Sequence, residues 1–68
     1  MLHYTLQAVH SANESLLREL ANEQFIDLDQ ARDVALSLVH EYGVDIQVLE
    51  CFAVSEHVRE VYDAATYA

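Results

Sequence analysis

Lysine, proline and tryptophan are absent from this chain, and glycine and cysteine each occur once among its 68 residues. A single cysteine, Cys51, cannot form an intramolecular disulfide, so a secreted cystine framework and a zinc ribbon are both excluded. Without proline, and with Gly43 as the only glycine, the chain has no linker composition and no glycine-rich loop to cradle phosphate. These absences favour one domain, residues 1–68, in a reducing, cytoplasmic setting.

Basic charge is also scarce. Twelve Asp and Glu residues face three arginines, which leaves a formal net charge of -9. Such an acidic surface repels nucleic acid, anionic membrane and acidic proteins. The partner class that remains is a basic protein surface, unless the acidity serves solvation alone. The first residues also lack a basic region followed by a long apolar run, so we expect no signal peptide and no transmembrane segment.

The apolar fraction of 53% nevertheless predicts a packed core rather than a disordered chain. Apolar residues alternate from Leu2 to Ala8, which is the period of a strand with one buried face. Residues 12–23 then show the apolar spacing of an amphipathic helix. This helix is preceded by residues 11–14, where a hydroxyl is followed three residues later by a carboxylate, as in a capping box.

The longest helical stripe lies between Asp27 and Gly43. Asp27 and Gln30 have the spacing of a second capping box, and the apolar residues that follow keep one face over four turns. Gly43 is placed to end this helix in the left-handed conformation, with a positive φ. Residues 25–27, just before the helix, allow a short extra strand.

Residues 44–54 form the most strand-like run, with one apolar face interrupted only by Glu50. Ser55 is then placed to cap a last helix, because the apolar residues 58, 61, 62 and 65 recur at i, i+3, i+4 and i+7. We therefore expect an α+β fold in the order β-α-α-β-α, with a small sheet packed against helices. Two long strands are marginal by themselves, so a partner chain is expected to complete the sheet edge. The expected core includes Leu38, Val39, Ile46, Val48, Phe52 and Val61.

Reactive side chains show no arrangement typical of catalysis. The four histidines are His3, His10, His40 and His57. No two of them have the i, i+4 spacing of a helical metal site, so surface or capping roles are expected, with zinc ligation as the alternative. Cys51 has no neighbouring base and alternates with apolar residues, which favours a buried thiol over a nucleophile. We expect no enzyme activity, no cofactor and no metal.

Carboxylates recur at helical spacing and are the candidate partner-binding residues. They are Glu56, Glu60 and Asp63 on the predicted last helix, and Asp29, Asp33 and Glu41 on the middle helix. Like charges at i, i+4 destabilise a helix by about 0.2–0.5 kcal/mol each, and no lysine relieves this repulsion. Carboxylates one turn apart are separated by about 5.4 Å along the axis, whereas successive phosphates of a nucleic-acid strand are about 3.4–7 Å apart. Such a surface can occupy a Lys/Arg groove built for nucleic acid.

A longer pattern resembles one in small phage and mobile-element proteins. It consists of an aromatic residue, a helix cap, the motif Leu-x-Gln-Ala, a helix and a Val-rich strand, here residues 25–31, then Gly43 and residues 44–49. In size, acidity and α/β build the chain is similar to several anti-CRISPR proteins and other anti-defence inhibitors. The resemblance implies a non-enzymatic inhibitor that acts by occlusion, in some cases by mimicking DNA.

Two functional hypotheses follow. In the first, the protein is an acidic inhibitor that binds a basic surface of a nucleic-acid-binding defence complex, by pairing its carboxylates with Lys and Arg that otherwise hold phosphates. In the second, it is a structural assembly module whose exposed strand edge pairs with its own copy, for example as a homodimer. Binding that weakens with salt distinguishes the first from apolar self-association.

Overall fold

Strands and helices follow one another in the order β-α-α-β-β-α in the computed structural model, which describes residues 1–10, 13–21 and 23–67. The elements are β1 (His3–Val9), α1 (Glu14–Ala21), α2 (Leu28–Tyr42), β2 (Asp45–Phe52), β3 (Ser55–Tyr62) and α3 (Ala64–Tyr67). The expected α+β class, with a small sheet packed against helices, is confirmed. The expected order is wrong at one point, because residues 55–62 form a strand and not a helix.

The sheet is antiparallel, with β2 in the centre and β1 and β3 at its edges. One face, which we call the covered face, packs against α1 and α2. Its buried residues include Leu6, Ile46 and Val48, which join Leu16 of α1 and Val39 of α2 in one cluster. The opposite face, which we call the open face, has no helix of the described chain packed on it. The predicted alternation of β1 is thereby confirmed.

Local caps mark the starts of the two longer helices, although α1 begins at Glu14 and is shorter than the predicted helix 12–23. The Asn13 side chain accepts a hydrogen bond from the Leu16 amide at 3.0 Å, which caps α1; residues 11 and 12 of the expected capping box lie outside the described residues. Asp27 caps α2 by accepting from the Asp29 amide at 2.9 Å. Gly43 ends α2 with φ 65°, and its amide donates to the Val39 carbonyl at 2.8 Å. The predicted positive φ is confirmed.

The expected extra strand at residues 25–27 is present only as a single bridge. The Tyr4 amide donates to the Phe25 carbonyl at 2.6 Å, and the Phe25 amide donates to the Tyr4 carbonyl at 2.8 Å. Phe25 is 6% exposed and belongs to the core. The bridge therefore covers one point of the free edge of β1 and fixes the entry into α2.

The loop of the β2–β3 hairpin contains no Gly, Asn or Asp, the residues that usually mark such a connection. Its two-residue loop is Ala53-Val54, flanked by the pair Phe52 and Ser55, and Ala53 adopts a φ of 55°. Tight hairpin loops usually place Gly, Asn or Asp at positive φ, because a Cβ is disfavoured there. The loop residues therefore gave no reason to expect a turn.

A β-bulge explains why β3 has helical spacing. Val58 lies opposite Leu49 and Glu60 lies opposite Val48, so Arg59 is an extra residue in β3. Beyond this bulge the alternation of β3 is reset. Val58 and Val61, three residues apart, consequently both lie on the open face. An i, i+3 apolar pattern that predicts a helix arises here from an interrupted strand.

The core differs from the expected one at the residues of this hairpin. Leu38, Val39, Ile46 and Val48 are at most 3% exposed, as predicted. Phe52 and Val61 are 60% and 53% exposed, so both predictions are wrong. Phe52 lies at the end of the sheet next to the hairpin loop, and Val61 lies on the open face.

Among the residues that the structure describes, none of the helices has the length and apolar character that a membrane span requires.

Candidate functional site

The acidic stripe expected on a last helix does not exist, because its residues lie on β3 and at the start of α3. Glu56 pairs with Cys51 and lies on the open face, whereas Glu60 pairs with Val48 and lies on the covered face. Asp63 precedes α3, and its carboxylate accepts a hydrogen bond from the Thr66 amide at 2.7 Å. The three carboxylates therefore point to different parts of the surface and do not form one binding stripe.

Glu60 is held inside the molecule by a hydrogen-bonded cluster. Its carboxylate accepts two bonds from the Arg32 guanidinium, from Nε at 2.7 Å and from Nη2 at 2.6 Å, and a third from the Tyr62 hydroxyl. Arg32 also donates to Asp29 at 3.2 Å, and the Tyr62 ring packs edge-on against Tyr67. This cluster ties α2 to β3 and α3, and it leaves Glu60 unable to bind an external cation without losing internal partners.

The pKa shifts in this cluster follow from the same contacts. The hydrogen bonds from Arg32 stabilise the ionised form of Glu60 and lower its pKa to about 2. Burial, followed by the hydrogen bond to Glu60, raises the pKa of Tyr62 to about 12. The pKa of Arg32 is raised above its ordinary value, chiefly by its hydrogen bond to Glu60. All three groups are thus fixed in one protonation state around neutral pH.

The carboxylates of α2 are the predicted site residues that stay at the surface. Asp29, Asp33 and Glu41 are exposed, and we call them the α2 acidic surface. The side chain of Asp29 is 84% exposed although Arg32 contacts it. Since a helix turns about 100° per residue, Asp29 and Asp33 share one side, and Glu41 is rotated by about 80° from Asp33 and lies about 12 Å further along the axis. The surface is a wide acidic band, not a narrow stripe.

Several other carboxylates serve the fold, which sequence reasoning did not anticipate. Asp45 accepts a hydrogen bond from the Ala64 amide at 2.8 Å and so positions α3. Glu19 accepts one from the Tyr42 hydroxyl at 3.0 Å, which joins α1 to α2 and raises the pKa of Tyr42. Glu50 lies 3.3 Å from His57 and 3.8 Å from Arg59. A short polar residue before a helix predicts a cap, but no sequence signal predicts these long-range partners.

The arginines do little to balance the surface charge. Arg32 is occupied by Glu60 and Asp29, and Arg59 approaches Glu50. Arg18, on the exposed side of α1, is the remaining arginine. Because two of the three cations are matched by carboxylates within the fold, the excess of negative charge falls on the surface. The α2 acidic surface consequently lies in a negative potential that attracts Lys and Arg.

The open face and the edge of β3 form a second candidate interface. Leu49 and Cys51 are 8% and 6% exposed on this face, which confirms the prediction of a buried thiol. The Cys51 sulfur lies 3.7 Å from the Thr5 hydroxyl and 3.7 Å from the Glu56 carboxylate. Beside them, Val58 is 50% exposed. Half-exposed apolar side chains on an edge strand are typical of a surface that can pair with another chain.

Comparisons with known proteins supply no further constraint on the site. The chain matches no protein-family model, no curated protein and no solved structure. Within residues 1–10, 13–21 and 23–67, no group of three or more His, Cys, Asp and Glu side chains could hold a metal ion. The candidate function therefore depends on the charge and the shape of the surfaces described above.

Proposed function

We propose that this protein is a non-enzymatic acidic binding protein, in the cytoplasm, whose partner is a basic protein surface. The observation that supports this most directly is the distribution of charge: twelve carboxylates against three arginines, two of which are matched by carboxylates of the fold. A surface of this kind is attracted to Lys and Arg clusters and is repelled by nucleic acid and by other acidic proteins. The partner class follows from charge complementarity.

The mechanism we propose is competition for a site that otherwise holds phosphates. Carboxylates of the α2 acidic surface pair with Lys or Arg of the partner in charge-assisted hydrogen bonds, and the body of the protein blocks access. In this proposal the protein is a small phage or mobile-element inhibitor of a nucleic-acid-binding defence complex, similar to anti-CRISPR proteins. Glu60 takes no part in such binding, because its carboxylate is occupied by Arg32.

A charge-neutral variant of α2 tests this proposal. Asp33→Asn with Glu41→Gln removes two exposed carboxylates that hold no other element in place, and Glu14→Gln with Glu56→Gln removes the same charge elsewhere. Purified nucleic-acid-binding effector complexes are titrated with each protein at low and moderate salt, with and without their DNA. We expect wild type to compete with DNA, its affinity to fall with salt, and the α2 variant to bind about tenfold more weakly than the matched control. If the two variants bind with equal affinity, the site does not lie on α2. If neither wild type nor a variant shows binding that weakens with salt, the proposed function is wrong.

A second function, self-assembly, is favoured by the edge of β3. This strand ends the sheet, and Val58 and Val61 are half-exposed beside its unpaired edge in the described part of the chain. Pairing of two copies through β3 would extend the sheet and cover both valines. Sedimentation of wild type and of Val58→Lys over a range of concentrations tests this. A dimer that persists at high salt and is lost in Val58→Lys would establish assembly, and a monomer at all concentrations excludes it.

A further inference from the structure

Exposed apolar side chains gather at the end of the sheet where the hairpin loop lies. We call this surface the apolar end; its members are Met1, Ile26 and Ala53, which line one cavity. Met1 and Ile26 are 88% and 74% exposed, and Ala53 is also exposed. They come from three separate parts of the chain that the fold brings together: the start of β1, the segment before α2, and the β2–β3 loop. Apolar residues that are scattered singly need no explanation, but a contiguous group marks an interaction site.

The apolar end forms part of the wall of an open cavity. Met1, His3, Gln24, Ile26 and Ala53 line it, and its volume is about 460 Å³. Three of these residues are apolar, while the His3 ring and the Gln24 amide add hydrogen-bonding groups. Cavities of about 300–1,000 Å³ with mostly apolar walls and a few polar groups are typical of binding sites. This cavity is large enough for one large apolar side chain.

Charged side chains are absent from the apolar end and present at its border. Residues 1–10 and 51–55 contain no Asp, Glu, Lys or Arg, although the chain carries a net charge of -9. The segment that supplies Gln24 and Ile26 is bounded on both sides by carboxylates, Glu23 and Asp27. An apolar centre with a charged border is the arrangement of a protein–protein contact. Here the border is acidic.

We propose that the apolar end holds an apolar side chain of the basic partner, one that is flanked by Lys or Arg in the partner's own chain. The inference rests on the proposed function, because the basic flanks are required by the same excess of acid. A second copy of this chain is a poorer occupant, since a two-fold contact would set the acidic border against its own image. An anionic lipid surface is repelled for the same reason.

Three short peptides serve as probes in an amide NMR titration of the full chain. The first is acetyl-Lys-Arg-Trp-Arg-Lys-amide, the second replaces its Trp by Ala, and the third replaces its basic residues by Glu and Asp. We expect the first peptide to shift the amides of His3, Gln24, Ile26 and Ala53, with a dissociation constant near or below about 1 mM, and the other two to bind much more weakly. Ile26→Gln should weaken the first peptide about tenfold, because its apolar contact is lost.

Leu17→Gln is the matched control, because Leu17 is also exposed, at 45%, but lies on α1. Its affinity for the first peptide should equal that of wild type. Equal binding of the Trp and Ala peptides, with shifts confined to α2, would overturn the inference and leave the basic-partner function standing. If the acidic and the basic Trp peptides bind equally well, the partner does not need basic flanking residues. Both the inference and the proposed function would then be wrong.

Two further outcomes overturn the inference. In the first, the amides of the cavity residues do not shift even when the concentration of the basic Trp peptide is several-fold above about 1 mM. In the second, the chemical shifts of those amides depend on protein concentration when no peptide is present, and this dependence disappears in Ile26→Gln. Such a result would identify the apolar end as a surface for self-association.

Discussion

At the residue scale, Glu60 illustrates how a carboxylate in a very acidic chain becomes part of the fold. Its side chain is 24% exposed, and the bidentate contact with Arg32 satisfies both of its oxygens. A carboxylate buried this far would be unfavourable without such partners. The cluster therefore stabilises the attachment of β3 to α2 and takes Glu60 out of the surface charge.

Removal of this carboxylate should produce a pH-dependent loss of stability. The folded pKa of Glu60 is about 2, below its ordinary value of 4.5. The stabilisation is therefore fully present above about pH 4.5 and is lost as the pH falls towards 2. At pH 7, Glu60→Gln should lower the free energy of unfolding by about 1 kcal/mol, a figure that allows for the solvent exposure of Arg32.

Urea unfolding of wild type and Glu60→Gln at pH 7 and near pH 2 measures this effect. The difference between the two proteins should shrink at the lower pH. Glu56→Gln, on the same strand but exposed on the open face, is the matched control and should change stability little at either pH. A difference for Glu60→Gln that is the same at both pH values would contradict the role of the ionised carboxylate.

Gly43 is a residue whose backbone conformation alone decides what can replace it. Its φ is 65°, and no atom outside its immediate neighbours lies within 4 Å of the position that a Cβ would take. Substitution therefore introduces backbone strain but no clash. Gly43→Val should lower the free energy of unfolding by about 1 kcal/mol or more, and Gly43→Asn by less, because Asn tolerates this region. Denaturation midpoints of both variants test this, and equal losses would contradict the conformational explanation.

At the element scale, β3 is a strand because of contacts that lie outside its own sequence. Its hydrogen bonds and its bulge depend on β2, and its contact with α2 depends on Arg32, 28 residues away from Glu60. Taken alone, residues 55–65 have the apolar spacing of a helix. Pairing with the central strand outweighs this local preference, as tertiary contacts often do.

A pair of valine substitutions tests the two faces of the sheet. Val48, on β2, is fully buried on the covered face, whereas Val61, on β3, is 53% exposed on the open face. Val48→Ala should lower the free energy of unfolding by about 1–3 kcal/mol, through lost burial and a partial cavity. Val61→Ala should lower it by about 0.5 kcal/mol or less. A comparable loss for both in urea unfolding would mean that the open face is covered by another chain in solution.

At the scale of the whole molecule, the charge acts over distances comparable with the protein itself. The principal extents are 31, 22 and 17 Å. The Debye length is about 30 Å at 0.01 M salt and about 10 Å at 0.1 M, so at low salt nearly every carboxylate repels every other. Salt confines this repulsion to near neighbours. The net charge of -9 thus makes stability depend on ionic strength.

Thermal unfolding at increasing NaCl concentration should reveal this repulsion. We expect the midpoint temperature to rise, by about 4–8 °C for each 1 kcal/mol of repulsion removed in a domain of this size. Asp33→Asn with Glu41→Gln should show a smaller rise, because two of the repelling charges are gone. A midpoint that falls with added salt would indicate that ion pairs such as Arg32–Glu60 outweigh the repulsion.

Features that depend only on neighbouring residues were predictable from the chain before its fold was known. The cap at Asp27, the end of α2 at Gly43 and the alternation of β1 are set by side chains within a few positions of each other, and all three were predictable. The buried positions Leu38, Val39, Ile46 and Val48 followed from the same local periods. The acidity likewise fixed the class of partner that we propose.

Contacts between elements select which local pattern prevails and where each carboxylate lies. Residues 55–62 became a strand because β2 offers hydrogen bonds that no local signal encodes, and the Arg59 bulge gave that strand the spacing of a helix. As a result, Glu56, Glu60 and Asp63 lie elsewhere than predicted. Phe52 and Val61 are exposed, whereas burial was predicted for both. The apolar end also exists only in the fold, since its residues come from segments that no sequence period relates. Contacts between residues that are far apart in sequence depend on the three-dimensional arrangement of the whole chain. For that reason no local sequence pattern predicts them.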